Sequence, residues 1–271
     1  MSCLPDNHVY SYSQLSSVDE CPYAFYMEKI EKNEDGSQKQ LKSNFFSEHG
    51  SFVHEVLELW ANGSLKKNDM TEYYKLKYPE EVVTPPPPYM SAYRQKAYDW
   101  GLEYFDSFDE FPDLKVISAE EKFKINLPLS DGTTRPFTGV VDLIAEEKAS
   151  GSLIVLDHKS KSMKEFKKNR EHMYRQQYLY SCFVNEKYGR YPDKLMFNLF
   201  KEKLLDKEPF SKKEYDRTLQ WATDRIHEIE ERDLFSWLES KENPDFFCNE
   251  ICSVREYCPN GVLKPTPKSK K

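Results

Sequence analysis

The chain has 271 residues, of which 31% are charged and 38% are apolar, and its formal net charge is −7. This composition is typical of a soluble globular protein with a packed core, and it excludes a chain that is disordered throughout. No apolar run approaches the roughly 18 residues of a membrane span, and no secretion signal opens the chain, so we expect a cytoplasmic protein. The negative charge excludes a surface that is basic all over, but it allows a local basic groove.

The N-terminal part of the chain is predicted to be helical. Ser13 or Ser16 can cap a first helix, which Pro22 must end or kink. Residues 31–44 have almost no apolar content, which is typical of an exposed loop. The four consecutive prolines at 85–88 predict a stiff extended connector. Apolar residues at helical spacing predict two further helices, over 51–61 and 91–107.

The middle of the chain changes to strand-like spacing. Residues 131–134, DGTT, predict a turn between two strands, and residues 152–158 are a short apolar run that is typical of a central strand. Further strands are predicted over 115–127, 137–146 and 195–200, and helices over 170–188 and most of 211–239. This order predicts an α/β fold with a mixed central sheet flanked by helices and a helical insertion.

These elements predict one domain over residues 1–262. Its parts are a helical N-terminal part (1–110), a sheet core (115–205) and a C-terminal helix with a cysteine-containing segment (211–259). Residues 263–271, LKPTPKSKK, are expected to form a disordered tail.

Two carboxylates and a lysine lie near the ends of predicted strands. Asp142 belongs to GVVDLI, and Asp157 and Lys159 belong to LDHK. Because residues i and i+2 face the same side of a strand, Asp157 and Lys159 share a face, and an adjacent strand can present Asp142 beside them. Two carboxylates in one place repel unless a cation lies between them, and oxygen ligands suit Mg²⁺ or Mn²⁺. The alternative is a set of turn or edge residues paired with lysines.

Two predicted helices contribute polar residues one turn apart. His54 lies within an apolar helical pattern, with Glu58 on the same face, and a satisfied core histidine is the alternative to a metal ligand. Gln176 and Tyr180 form a similar pair on the helix after the DHK strand, and each alone is an ordinary helix residue.

Six cysteines are unevenly placed. Three of them, Cys248, Cys252 and Cys258, lie within eleven residues near the C-terminus. Such crowding in an intracellular chain indicates a metal or cluster site more than a disulfide framework. Cys182 lies in an apolar helix and is expected to be a core residue, and Cys3 has no assignment.

The order of these motifs resembles the PD-(D/E)XK nucleases of the RecB type, the group that includes CRISPR adaptation nucleases and the AddB nuclease domain. The resemblance covers about residues 10–259. It is carried by the opening YSYSQLSSVDECPYAFY, His54 in a Gly-x-x-x-His helix, Asp142 after Gly139, Asp157-His158-Lys159, and Gln176-x-x-x-Tyr180. Asp157 stands where glutamate is commoner, and His158 where many members have a hydrophobic residue.

The resemblance implies a metal-dependent deoxyribonuclease, an exonuclease that hydrolyses DNA phosphodiester bonds from ends or in single strands. The implied ligands of Mg²⁺ or Mn²⁺ are His54, Asp142, Asp157 and the carbonyl of His158. Lys159 would position the attacking water and offset negative charge, and Gln176 and Tyr180 would orient Lys159 or the substrate. Glu120 or Glu121 is a further candidate beside the ligands, with an exposed salt-bridging glutamate as the alternative.

In iron–sulfur members of that group, one N-terminal cysteine joins three near the C-terminus to hold a [4Fe–4S] cluster. The resemblance implies this role for Cys21, Cys248, Cys252 and Cys258, with zinc as the alternative at four thiolates. The spacing here is C-x3-C-x5-C, one residue longer in the first gap than in most members. Such a cluster would connect the N-terminal helix to the C-terminal segment.

Substrate binding is assigned to the basic segment 159–170, which carries six basic residues and one acidic residue. A solvated loop and helix start is the alternative for this segment. The rings of Trp60, Tyr174 and Tyr178 could stack on bases, although aromatic residues at helical spacing are more often core residues.

Two other functions are kept as alternatives: a non-catalytic nucleic-acid-binding or assembly subunit, and a site-specific endonuclease. The intact set of Asp142, Asp157, Lys159 and Gln176 favours catalysis. The small size favours a stand-alone enzyme encoded by a phage or mobile element, with DNA as its partner and no membrane. Its partner proteins in repair, recombination or CRISPR adaptation are not identified by the sequence.

Overall fold

The computed structural model describes residue 4 and residues 7–242 and 244–260. The chain forms two compact units. The larger unit contains Val9–Tyr12 and Phe45–Thr223, and the smaller one contains Ser13–Asn44 and the described residues from Asp224 onward. The predicted tail and Cys3 lie outside the described residues.

A mixed sheet forms the centre of the larger unit. Six strands are present in the described part of the chain: β1 (Tyr10–Ser11), β2 (Leu114–Pro128), β3 (Thr134–Glu147), β4 (Leu153–Lys159), β5 (Lys194–Leu199) and β6 (Leu204–Pro209). Their order in the sheet is β1-β3-β4-β5-β6, with β2 also paired to β3. The β1–β3 and β4–β5 pairs are parallel, and the β2–β3, β3–β4 and β5–β6 pairs are antiparallel.

Helices precede, interrupt and follow the strands. They are α1 (Tyr12–Glu20), α2 (Pro22–Phe25), α3 (Phe45–Ala61), α4 (Lys67–Glu81), α5 (Tyr93–Asp106), α6 (Met163–Lys168), α7 (Arg170–Tyr188), α8 (Lys212–Glu231) and α9 (Leu234–Trp237). Short 3₁₀ turns lie at Pro88–Met90 and Phe200–Glu202, and π-helical turns at Tyr26–Ile30 and Phe247–Ile251. None of the helices among the described residues is both long and apolar enough to cross a membrane.

The predicted α/β class with a mixed sheet is confirmed, but the sequence analysis missed several elements. Helix α3 begins at Phe45 rather than at 51, because Phe45 and His49 continue its buried stripe. Helix α4 was not predicted, since only Met70, Tyr74 and Tyr78 of its residues are buried and their signal is diluted by charged neighbours. The strands β1 and β6 and the helix α6 are too short to give a periodic signal.

Aromatic packing holds helices α3, α4 and α5 together and against the sheet. Phe52 stacks on Tyr74 with ring centres 5.2 Å apart, and Tyr74 lies 5.2 Å from Phe105. Their cluster also contains Ile154 and Leu156 of β4. On β5, the ring of Phe197 lies 4.8 Å from Tyr174 of α7. The central strands are therefore covered by helices, which explains the apolar character of β4.

Gly101 gives α5 room to approach α4. A β-carbon at this position would overlap the ring of Tyr74, which is fully buried, whereas a β-carbon at Gly50 of α3 would meet no atom within 4 Å. Glycine usually weakens a helix, so its presence at 101 reflects packing rather than helix propensity.

The two glycines are expected to respond oppositely to alanine. Gly101→Ala should lower the free energy of unfolding by about 1–3 kcal/mol through overpacking. Gly50→Ala should raise it by about 0.5–1 kcal/mol, because alanine favours the helix and meets open space. Urea unfolding of both variants measures the difference, and stabilisation by Gly101→Ala would contradict this account of the α4–α5 contact.

Candidate active site

Three acid and imidazole side chains from different elements meet near the end of β4, beside the middle of β2 and β3. His54 comes from α3, Glu120 from β2 and Asp142 from β3, and one donor atom of each lies within 4.8 Å of the others. The Nδ1 atom of His54 is 3.3 Å from Asp142 Oδ2 and 3.9 Å from Glu120 Oε1. This is the only such group of three among the residues that the structure describes.

A backbone contact fixes which nitrogen of His54 carries the proton. The Nε2 atom lies 2.8 Å from the carbonyl oxygen of His158, and a carbonyl only accepts hydrogen bonds. Nε2 is therefore the protonated nitrogen of the neutral ring, and the lone pair of Nδ1 faces the carboxylates of Asp142 and Glu120. Such an arrangement is repulsive unless a proton or a metal ion occupies the space between them.

The backbone of Glu120 is unusual for a residue within a strand. Its φ is 45°, which lies in the left-handed region that non-glycine residues rarely adopt. The flanking pairs Ala119–Leu143 and Glu121–Val141 place Glu120 opposite Asp142 in the register. Residues held in such conformations cost on the order of 1–3 kcal/mol and concentrate at functional sites. The local distortion brings the Glu120 carboxylate to His54.

A second chain of polar contacts runs from β4 to α7. The Nζ atom of Lys159 lies 2.8 Å and 3.0 Å from the two carboxylate oxygens of Asp157, and it donates to Gln176 Oε1 at 3.1 Å. Gln176 Nε2 donates in turn to the Tyr180 hydroxyl at 3.2 Å. A β-carbon at Gly139 would come within 2.7 Å of the Tyr180 ring, so this glycine leaves the space that Tyr180 occupies.

The two sets of contacts join at the backbone of β4. The N–H of His158 donates to Asp142 Oδ2 at 2.8 Å, and its carbonyl accepts from His54. The His158 side chain is buried, and its Nδ1 atom lies 2.9 Å from Asn198 Nδ2, which also donates to the Tyr104 hydroxyl at 2.6 Å. Asn198 thus supports the site from β5. The sequence analysis missed it because a single asparagine in an apolar strand gives no pattern.

Burial dominates the electrostatics of the site. It raises the pKa of Asp157 to about 6, although Lys159 acts in the opposite direction. Burial also raises the pKa of Asp142, against the opposing charges of His54 and Lys159. Burial alone would lower the pKa of Lys159, but the charges of Asp157 and Asp142 raise it above its usual value. Lys159 therefore stays an ammonium at neutral pH.

The pKa of His54 is also raised. Burial disfavours the imidazolium, but Asp142, Glu120 and Asp157 together outweigh burial. The pKa of His158 is lowered well below its usual value by burial first, and then by the charges of His54 and Lys159. His158 is therefore a neutral residue that contributes through its backbone.

A pocket of about 320 Å³ opens onto the triad. Its lining includes His54, Glu120, Asp142 and Glu58, and Gly50, Ser51 and Glu55 of α3 complete it. Glu55 accepts a hydrogen bond of 3.0 Å from the Tyr73 hydroxyl, and Glu58, one turn after His54, also lines the pocket.

The donor set fits a divalent cation. Two carboxylates and an imidazole supply the hard oxygen and nitrogen donors that Mg²⁺ and Mn²⁺ accept. The Nδ1 lone pair of His54 and the Asp142 and Glu120 carboxylates converge without a protein cation between them in the described chain. Asp157 Oδ2 is buried close to Lys159 without a directed hydrogen bond. His54, Glu120 and Asp142 are therefore the residues that could hold the ion.

The predicted site residues fall into two groups of contacts, the triad and the polar chain from β4 to α7. His54 and Asp142 lie in the triad, whereas Asp157 lies with Lys159, Gln176 and Tyr180. The His158 carbonyl is already an acceptor for His54. The roles assigned to these residues, as metal ligands or catalytic groups, stay predictions.

Glu120 and Glu121 have separate surroundings. Glu121 is half-buried, forms an ion pair with Lys187 and accepts a hydrogen bond from the Ser118 hydroxyl. Only Glu120 reaches the triad. Sequence alternation could not distinguish them, because the distorted backbone at Glu120 breaks the regular period of β2.

The other candidates for substrate binding differ in their accessibility. Tyr174 and Tyr178 are buried and donate to Asp206 and Glu208, so neither ring is free to stack on a base. Trp60 is half-buried and packs edge-on against Phe108 of the core. In the basic segment, Arg170 is bound by Asp206 and Glu208, whereas the exposed lysines are Lys164, Lys167 and Lys168.

The four cysteines of the predicted cluster belong to the smaller unit. Cys21, Cys252 and Cys258 pack around the core formed by Tyr23, Met27 and Val254. Cys248 is half-buried, and none of the described cysteines forms a disulfide. Burial, with added influence from Cys21 and Cys248, raises the pKa of Cys252 to about 11. No three of these sulfurs lie within 4.8 Å of one another in the described chain.

Hydrogen bonds already join the N-terminal and C-terminal stretches of this unit. The Tyr23 hydroxyl donates to the Tyr257 carbonyl at 2.5 Å, and Asn44 donates to the Ile251 carbonyl at 3.2 Å. The core residue Cys182, as expected, is buried, in α7 of the larger unit.

Comparisons with known proteins identify a family. The sequence profile of the PD-(D/E)XK nuclease superfamily matches residues 9–259. No curated protein sequence matches the chain. Among solved structures, the chain is similar to one titled "Crystal structure of SSO0001", with 17% sequence identity, a TM-score of 0.33, and coverage of 64% of this chain and 80% of that chain. A likeness of this size carries no argument about the site.

Loss of a triad carboxylate should weaken metal binding. Glu120→Gln keeps the shape of the side chain but removes its charge, and it should lower the affinity for Mn²⁺ by at least about tenfold in isothermal titration calorimetry. Glu55→Gln is the matched control, since Glu55 lines the same pocket but is bound to Tyr73. Equal Mn²⁺ affinities for Glu120→Gln and the unmodified protein would contradict the placement of Glu120 at the ion.

Proposed function

The chain belongs to the PD-(D/E)XK nuclease superfamily, and from that premise we propose that it is a Mg²⁺- or Mn²⁺-dependent deoxyribonuclease. One observation carries the proposal. The His54–Glu120–Asp142 triad lies next to the hydrogen-bonded Asp157–Lys159–Gln176 chain near the end of β4. His54, Glu120 and Asp142 would hold the divalent ion, which when bound would supply a water of lowered pKa and neutralise charge at the phosphate.

Lys159 acts as a fixed positive charge in this proposal. Asp157 and Gln176 hold its ammonium from two sides, and the neighbouring carboxylates keep it protonated. A cation that is already oriented offsets the negative charge that develops on the phosphate without further reorganisation. Its raised pKa makes it unsuited to take a proton from water at neutral pH, so we assign it charge stabilisation rather than general base catalysis.

The remaining residues orient the groups that act. Gln176, itself bonded to Tyr180, limits the rotation of the Lys159 side chain. The backbone of His158 aligns two groups at once, because its N–H holds Asp142 and its carbonyl holds His54. This arrangement directs the Nδ1 lone pair of His54 toward the carboxylates.

We propose further that the enzyme is an exonuclease of the RecB type on DNA. The order of the motifs from Gly50 to Tyr180 supports this subfamily, and the pocket over the triad supports a strand end or single strand as substrate. The alternative is a non-catalytic nucleic-acid-binding subunit on the same fold. Catalysis is favoured by the pairing of Lys159 with both Asp157 and Gln176, which a purely structural role would not require.

We also propose one nuclease domain that includes both compact units, with a [4Fe–4S] cluster in the smaller one. The family match runs from residue 9 to residue 259, across both units. The support for the cluster is that Cys21 and the C-terminal cysteines pack around one small core. A cubane takes one thiolate on each of four irons, so its sulfurs stand farther apart than those around a single zinc ion.

Cleavage assays test the nuclease. Linear DNA, end-labelled and either single- or double-stranded, should be degraded with Mg²⁺ or Mn²⁺ and left intact with EDTA. Lys159→Gln should reduce the rate by at least about a hundredfold, because it removes a charge that acts on the transition state. Lys207→Gln is the control, since Lys207 is an exposed lysine on β6.

A circular single strand of the same sequence separates the two modes of cleavage. An exonuclease leaves the circle intact, whereas its cleavage would mean an endonuclease. DNA binding without any metal-dependent cleavage would favour the non-catalytic alternative.

Protein purified without oxygen tests the cluster. Thiolate-to-iron charge transfer should give a brown colour that fades on exposure to air, and Cys21→Ala should lose the iron and unfold at a lower temperature. Cys182→Ala is the matched control, because Cys182 is a buried cysteine outside the smaller unit. A colourless protein with about one zinc per chain would replace the cluster with zinc, and a protein without metal would refute both.

A further inference from the structure

Two lysines flank one tryptophan in the larger unit. Lys96 of α5 has its Nζ atom 4.9 Å from the centre of the Trp100 ring, and Lys201, in the 3₁₀ turn after β5, lies 4.8 Å from the same ring. Lys201 also donates a hydrogen bond of 3.0 Å to the hydroxyl of Tyr93. We refer to Tyr93, Lys96, Trp100 and Lys201 as the lysine–tryptophan patch.

Among the described residues, neither ammonium of this patch forms an ion pair. In the stretches that the structure describes, no carboxylate lies within 4.0 Å of the Nζ atom of Lys96 or of Lys201, in contrast to Lys194 and Lys187, which are ion-paired. The chain has more acidic than basic residues, 46 against 39, so acidic partners are not scarce. Two like charges that share a ring repel, and an anion placed between them would relieve this repulsion.

The surroundings of Lys201 disfavour its charged form. Burial lowers the pKa of Lys201 to about 8, and the charge of Lys96 adds to this, whereas Glu165 and Glu202 act in the opposite direction. His49 is neutral at physiological pH. Its burial, and to a smaller extent the charge of Lys201, lower the pKa of His49 to about 4. The ammonium is thus half-buried with a neutral phenol as its hydrogen-bond partner.

The patch lies just after the end of β5, next to the end of β4 that carries Lys159. Strands β4 and β5 are parallel, with Lys159 paired to Leu199, and Lys201 follows two residues later. Neighbouring strands are about 4.8 Å apart, and Lys201 lies in the 3₁₀ turn directly after β5, so its backbone follows two residues after the strand partner of Lys159.

Helix α6 adjoins the same turn. The N–H of Met163 donates to Glu202 Oε1 at 3.3 Å, next to Lys201 in sequence. The exposed lysines of this helix, Lys164, Lys167 and Lys168, belong to the basic segment. The lysine–tryptophan patch therefore lies beside the basic segment.

We propose that the lysine–tryptophan patch is a subsite for a backbone phosphate of the bound nucleic-acid strand, a few nucleotides from the bond that is cleaved. This inference rests on the proposed nuclease function. Lys96 and Lys201 supply the charge, and the Tyr93 hydroxyl, which accepts from Lys201, keeps its own proton to donate to a phosphate oxygen. A nucleotide spacing of about 3.4 Å along a duplex strand places such a phosphate within reach of the catalytic end.

The subsite has a pH dependence that distinguishes it from an ordinary basic surface. Lys201 is charged below its pKa and neutral above it, so the affinity for a phosphate falls as the pH rises through about 8. The groups that face Lys201 are Lys96 and Tyr93 on α5, Glu165 on α6, Glu202 in its own turn and His49 on α3. Of these, Glu165, with a lowered pKa, and neutral His49 do not change charge between pH 7 and pH 9.

Fluorescence anisotropy with a labelled single-stranded oligonucleotide tests the subsite on the full-length protein. EDTA prevents cleavage, and binding is measured at pH 7 and pH 9 over a series of salt concentrations. The unmodified protein should bind several-fold more weakly at pH 9. Lys201→Arg should keep its affinity at pH 9, because arginine stays charged, and Lys201→Met should bind weakly at both pH values. Lys201→Met should also lower the salt slope by about 0.7, the value for one phosphate contact on a single strand.

The matched control is Lys203→Met. Lys203 is exposed, follows the same turn and lies 4.0 Å from Glu103, so its loss should leave both the pH dependence and the affinity unchanged. Thermal unfolding of each variant verifies that it is folded. If Lys201→Met does not fold, Lys201→Arg provides the test.

The outcomes separate this inference from the proposed function. If the unmodified protein cleaves DNA with metal but Lys201→Met binds like the unmodified protein at both pH values, the subsite is refuted and the nuclease stands. If the unmodified protein neither binds nor cleaves DNA, both are refuted. Displacement of the oligonucleotide by inorganic phosphate at equal phosphate concentration would mean a site for free phosphate, and would also overturn the subsite.

Discussion

The constraint on which this site depends is the electrostatic repulsion among three largely buried carboxylates near the end of β4. Two unit charges about 4 Å apart repel by about 4 kcal/mol at an effective dielectric constant near 20. Glu120, Asp142 and Asp157 are held close to His54 and Lys159, the side chains whose charges oppose this repulsion. The raised pKa values of Asp142 and Asp157 show that these partners do not fully compensate for burial. A bound divalent cation would complete the balance.

The rest of the larger unit keeps these charges in place. The backbone of His158 ties β4 to both Asp142 and His54, so the strand itself aligns groups from two other elements. The aromatic cluster of α3, α4 and α5 fixes the helix that carries His54, and α7 carries the partner of Lys159. The left-handed backbone of Glu120 is a local cost in free energy that the surrounding sheet must offset.

The smaller unit poses a different physical problem. Its core around Tyr23, Met27 and Val254 is small, and backbone and side-chain hydrogen bonds join its two distant stretches of sequence. Half-buried thiols at its edge have no disulfide partner among the described residues. A small core with several free thiols is the situation in which a bound metal or cluster contributes most to folding.

The sequence by itself determined the fold class and the family, because long elements and ordered motifs are local properties. The apolar run of β4, the turn at 131–134 and the helical spacing of α7 are visible without a structure. The two-residue period of a strand likewise places Asp157 and Lys159 on one face. The short elements β1, β6 and α6, and the diluted stripe of α4, lack enough residues to show a period.

Only the tertiary structure decided how the site is assembled. Glu120 and Glu121 are adjacent in sequence, but Glu120, with its left-handed backbone, lies in the triad, whereas Glu121 pairs with Lys187. Asn198 reaches His158 from a neighbouring strand, a contact that depends on register between distant segments. Tyr174 is buried and donates to Asp206, whereas Lys201 is half-buried and donates to the Tyr93 hydroxyl. The burial and the hydrogen-bond partner of each side chain are properties of the packed chain, because they depend on residues that are distant in sequence.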